Sequence, residues 1–140
     1  MQELSTQLLA DLLSKRRKCL VQLRELGMRQ AKMIAGGEMA ELLRLVSAKQ
    51  QLIVALQAIE QQLAPFHEQD PEARQWSSND ARAQCAADAE ACRMLIQEVM
   101  AMEQAGERQM TERRDAVANQ LRTVAAGSRV RDAYQAQANR

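Results

Sequence analysis

Residues 23–46 read LRELGMRQAKMIAGGEMAELLRLV. On both sides of Gly36-Gly37 apolar residues recur at three- and four-residue steps, and the glycine pair interrupts the pattern. Upstream, Leu9, Leu12, Cys19, Leu23, Leu26 and Met33 form one helical stripe, widened by Leu8, Leu13 and Leu20. Downstream the stripe runs Met39, Leu42, Val46, Lys49, Leu52 or Ile53, Leu56, Ile59, Leu63 and Phe66. Glycine relieves the left-handed turn that follows a helix carboxyl end. The spacing therefore predicts a first helix over 4–35, a second over 38–68, and an antiparallel hairpin. At about 1.5 Å per residue, each helix is roughly 45 Å long. Arg16 and Gln30 interrupt the first seam, which argues against an ideal two-stranded zipper. Neither helix hides its stripe alone, so a third element must cover the pair.

Asp70-Pro71 closes the second helix, because the residue before proline avoids the helical region. A polar stretch with Trp76 leads to Ser77, Ser78 and Asn79, all good amino-terminal caps. A third helix is predicted over 80–126. Its stripe begins weakly at Ala81, Cys85, Ala89 and Cys92, then strengthens at Leu95, Ile96, Val99 and Met102. It thins at Ala105-Gly106 and resumes at Met110, Val117, Leu121 and Val124. Gly127-Ser128 is read as a break, with Val130, Ala133 and Tyr134 in a short helical tail over 129–136. The expected fold is all-α: one domain over 1–140, a long hairpin plus a longer third helix, forming a three-helix up-down bundle.

Composition agrees. The chain holds 24 Ala, 18 Gln and 15 Arg against one Phe, one Trp and one Tyr. These are helix formers, and the β-branched and aromatic residues of strands are sparse. No apolar run approaches the ~18 residues of a membrane span. Glu3 and Asp11 stand where a signal peptide would be basic and then apolar. Three cysteines without close pairing point to a reducing, cytoplasmic compartment. A net charge of +1 gives no global attraction to nucleic acid or membrane. Charge is uneven, however: residues 1–35 carry seven Lys/Arg and three Asp/Glu (+4), and residues 36–70 carry two and five (−3).

Chemistry-bearing motifs are few. Ser14-Lys15-Arg16-Arg17-Lys18 is the best phosphate-binding run, but it lies within an amphipathic helix and reads as a solvated face. His67 is the sole histidine, and no C-x-x-C joins it to Cys19, Cys85 and Cys92 in a metal set. No nucleophile–base set, phosphate loop or H-E-x-x-H occurs. The reading is a non-enzymatic protein with no cofactor or metal. Methionine fills cores and adaptable binding surfaces alike, and the stripe after Gly106 has no evident cover from the first two helices.

The second helix carries a resemblance. Gly37-Glu38, Ala40-x-Leu42-Leu43, Val46, Lys49-Gln50-Gln51-Leu52-Ile53, Leu56 and Ile59-Glu60 resemble the opening helix motif of the FlgN-type flagellar export chaperones. Ala126-Gly127 and Ala133-Tyr134 are similar to that family's carboxy-terminal tail. Residues 100–109, MAMEQAGERQ, depart from it, since members often carry asparagines there. The resemblance implies a cytoplasmic chaperone that holds hook-associated (hook–filament junction) proteins before type III export. It also implies that the client is gripped through the carboxy-terminal segment, here Met110, Val117, Leu121, Val124, Val130 and Tyr134. An amphipathic helix meeting a client helix uses the same i, i+3/i+4, i+7 anchors. The alternative is a structural coiled-coil or scaffold protein that self-associates through the bundle. A homodimer is compatible with either reading. A chaperone forms a small defined complex, whereas a scaffold bridges or extends without limit.

Overall fold

The computed structural model describes residues 4–138. Three α-helices follow in order: α1 (Thr6–Gly36), α2 (Met39–His67) and α3 (Asn79–Ala138), with a single 3-10 turn at Pro71–Ala73 before α3. No strand occurs among the described residues, so the fold is all-α. The chain divides into two units, residues 1–104 and residues 105–140. Each is described by itself.

Local chemistry sets the helix ends of the first unit. Ser5 caps α1, its Oγ accepting from the Leu8 N–H at 3.0 Å. Gly37 takes φ 71°, the left-handed conformation. There its N–H donates to the Ile34 carbonyl (3.3 Å) and the Glu38 N–H donates to Met33 (3.1 Å). This is the double closure that glycine permits after a helix. At the far end of α2, Arg74 donates from Nη2 to the Phe66 carbonyl (3.0 Å) and from Nε to Gln69 Oε1 (2.9 Å). Thr6 Oγ1 donates to the Gln75 carbonyl at 2.7 Å, tying the linker to the start of α1. Ser78 Oγ accepts from the Ala81 N–H at 3.0 Å and so opens α3.

Two apolar clusters hold the bundle of residues 4–104. The first joins Leu9, Leu12 and Leu13 of α1, Leu63 and Phe66 of α2, and Cys85 of α3, with Trp76 packed against it. The second joins Cys19, Leu20 and Leu23 to Cys92 and Leu95, with Leu52, Ile53 and Leu56 partly buried beside them. Charged side chains enter these seams in pairs. Arg16 meets Glu60, Asp88 accepts from Arg17 at 3.0 Å, and Lys49 reaches Glu103 and Gln30 Oε1, the last at 2.7 Å.

Four expectations are corrected. Met39 and Val46 are exposed and Leu45 is buried in their place, because α2 is apolar on two sides and its steps admit two stripes. Asp88, not Ala89, occupies the α3 seam; its carboxylate is satisfied by Arg17 and Gln84. The break at Gly127-Ser128 is absent, and α3 runs through it to Ala138. A single glycine in a helix interior costs about 1 kcal/mol relative to alanine. The Ala125-Ala126 and Arg129–Ala133 flanks offset that, whereas the first bend has two consecutive glycines. The separate tail over 129–136 is accordingly the end of α3.

Candidate partner-binding surface

Residues 105–138 are helical throughout, and every large apolar side chain on them is exposed. At about 100° per residue, Met110, Val117, Leu121 and Val124 fall within a sector of roughly 60° and make one continuous stripe. Leu121 and Val124 are 65% and 66% exposed. Arg113 and Arg114 flank the stripe between Met110 and Val117, and Arg114 is ion-paired with Asp115 at 3.7 Å.

The structure does not bring all six expected residues together. Because α3 continues through Gly127, Val130 lies about 180° around the helix from Leu121, and Tyr134 about 140°. Both are exposed, Tyr134 the most open of the six. They belong to a different face from the four-residue stripe.

Elsewhere several charged groups are already engaged. Of the basic run, Arg16 and Arg17 are paired with Glu60 and Asp88. Burial pushes the Cys19, Cys85 and Cys92 thiols above their ordinary value, with the Asp88 carboxylate adding to the rise at Cys85. Cys19 donates to the Leu52 carbonyl at 3.2 Å. These are protonated, inward-facing thiols, the opposite of an activated nucleophile. Among the described residues no group of three His, Cys, Asp or Glu is placed to hold a metal ion. An open cleft of about 340 Å³ lies between Leu9, Phe66, Trp76 and Cys85. Two arginines at its edge, Arg16 and Arg74, are spent on Glu60 and on the end of α2.

Sequence reasoning missed the outer face of α2. Leu43 and Val54 are 69% and 55% exposed there, beside Met39 and Val46. By length and composition α2 is the one helix among the described residues that could cross a membrane, although no uninterrupted apolar run reaches that length. Its Lys49 and Glu60 both form ion pairs inside the bundle. The signal was present in the surplus of apolar residues on α2, which one stripe could not absorb.

Comparison with known proteins returns no match: no family model, no curated protein and no solved structure aligns with the chain.

Proposed function

We propose that this protein is a cytoplasmic flagellar export chaperone that holds hook-associated proteins before type III secretion, through the stripe Met110, Val117, Leu121 and Val124. One observation carries the reading: four large apolar side chains stay exposed on a single face of a regular helix. A soluble chain seldom leaves such a continuous stripe without a partner. A client helix would bury it through the i, i+4, i+7 anchors of helix-in-groove recognition. The resemblance of the second helix and tail to FlgN-type chaperones supplies the identity of the client.

The test is co-purification with hook-associated proteins. Burying Leu or Val is favourable by about 1.5–3 kcal/mol, and two thirds of Leu121 and Val124 is still open to be covered. Leu121→Ala with Val124→Ala should therefore cost about 2–4 kcal/mol of binding, roughly 30- to 1,000-fold in Kd. Val130→Ala with Tyr134→Ala, off that face, should cost much less. Undiminished binding by the first variant rejects the site. Failure of the unaltered protein to bind any hook-associated protein rejects the function.

A further inference from the structure

The outer face of α2 is a second seam. Its aliphatic members, Met39, Leu43, Val46 and Val54, are all about half or more exposed. Gln50, Gln57, Gln61 and Ala64 continue the same row, also exposed. The steps between successive members are three or four residues throughout, the spacing of a helix–helix seam. From Leu45 to Pro65 the only charged residues are Lys49 and Glu60, and both are turned into the bundle and ion-paired there. The exposed row is therefore uncharged for nearly its whole length. A helix apolar on both sides belongs inside a larger helical assembly, and the other helices of this bundle cover one side of it.

We propose that this face docks a second copy of the chain, α2 against α2 in antiparallel orientation, making a two-fold dimer. A two-fold interface sets a surface against itself, so charge on it would repel; this row carries none. The row is also close to palindromic about residue 52. In antiparallel register Met39 faces Ala64, Leu43 faces Gln61, Val46 faces Gln57 and Gln50 faces Val54. Each glutamine thus lays its methylenes on an aliphatic side chain and keeps its amide at the edge. A parallel pair would instead stack each glutamine on its own copy. The row spans about 38 Å at 1.5 Å per residue. With its flanking Ala40, Ser47 and Ala58 it approaches the roughly 600 Å² per partner at the lower limit of specific interfaces. An anionic lipid surface is disfavoured by the −3 balance of residues 36–70.

Sedimentation equilibrium on the full chain tests this. Between about 1 and 100 µM, a range centred on micromolar affinity, the mass should rise from 15.7 kDa towards twice that value. Leu43→Lys with Val54→Lys, both at exposed positions, should remain monomeric over the same range, with the melting temperature that the unaltered protein shows at its lowest concentration. Independently of that variant's folding, oxidising a mixture of Gln50→Cys and Val54→Cys proteins should give more cross-linked dimer than either alone. The proposal is overturned by an unaltered protein that stays monomeric at the highest concentration. It is overturned equally by dimerisation that survives the lysines, or that is abolished by Leu121→Ala with Val124→Ala instead. Cross-linking strongest between identical positions would refute the antiparallel register. A monomer whose binding to neutral vesicles or to a hook-associated protein is lost with the lysines would hand the face to that partner.

Discussion

Leu20→Ala and the pair Leu121→Ala/Val124→Ala should separate folding from binding, and the magnitudes follow from burial. Leu20 is 1% exposed, amid Cys19 and Leu23 of its own helix and Cys92 and Leu95 of α3. Core Leu→Ala changes cost about 2–5 kcal/mol, more where the walls cannot close on the cavity. With helices on several sides, about 3–4 kcal/mol is expected, or roughly 14–20 °C in melting temperature for a unit near 100 residues. The pair at 121 and 124 buries only a third of each side chain in the free protein. Its loss is then about a third of the 1.5–3 kcal/mol for full burial, twice over. Alanine returns a few tenths of a kcal/mol at each site through helix propensity. The net is about 1 kcal/mol or less. Trp76 packs on the first cluster, so its fluorescence reports unfolding of residues 4–104, while circular dichroism follows all the helix. If the double variant lowers the Trp76 transition as far as Leu20→Ala does, the stripe is core and the reasoning fails. A Leu20→Ala protein that melts like the unaltered chain would refute the assigned packing.

Two glycines should respond with opposite sign. Gly127→Ala, helical with open space around its Cβ position, should stabilise residues 105–138 by about 0.5–1 kcal/mol, whereas Gly37→Ala, forced to φ 71°, should destabilise the hairpin by about 1–2 kcal/mol; urea titrations followed by circular dichroism measure both. The buried thiols should make the bundle alkali-sensitive. Their values are raised on folding, so the folded state holds those protons more tightly; the contribution is complete below about pH 9, the ordinary thiol value, and is lost as pH rises through the folded values. Urea midpoints at pH 8 and pH 10 should fall further for the unaltered protein than for a Cys19→Ala/Cys85→Ala/Cys92→Ala variant, and equal falls would refute the effect.

The hairpin was legible because its punctuation is strong: two consecutive glycines with periodic apolar residues on each side, then Asp70-Pro71, then a run of capping residues ending at Asn79. The depth of each residue was less so. Leu45 and Val46 are neighbours of similar character, and which one is buried depends on the side from which α1 and α3 approach. Gly127 looked like Gly36-Gly37 in type but not in number, and a lone glycine lets neighbouring alanines carry the helix through. That difference moved Val130 and Tyr134 off the stripe while leaving Met110, Val117, Leu121 and Val124 on it. The uncharged row on α2 was invisible as a surface, since periodicity alone assigns an apolar residue to a core and cannot say that the core is already full.

The charged residues that interrupt the seams have a shared arrangement. Arg16–Glu60 joins α1 to α2, Arg17–Asp88 joins α1 to α3, and Lys49–Glu103 joins α2 to α3. Each pair of helices is thus linked, α1 and α3 a second time by Arg24–Glu98 at 3.1 Å. Such pairs contribute little net stability, because desolvation opposes their attraction, but separating one that is buried costs about 3–5 kcal/mol. Asp88 and Lys49, 6% and 7% exposed, are the most sheltered of them. A slip of one helix by a heptad, about 10 Å, would set alanine and leucine against other alanines and leucines at small cost. It would also leave Lys49 without Glu103 and Gln30, and Asp88 without Arg17. The polar interruptions therefore select the register that the apolar residues leave loose. Register in turn decides which part of the apolar face of α3 is consumed in the bundle of residues 4–104, here from Cys85 to Met102.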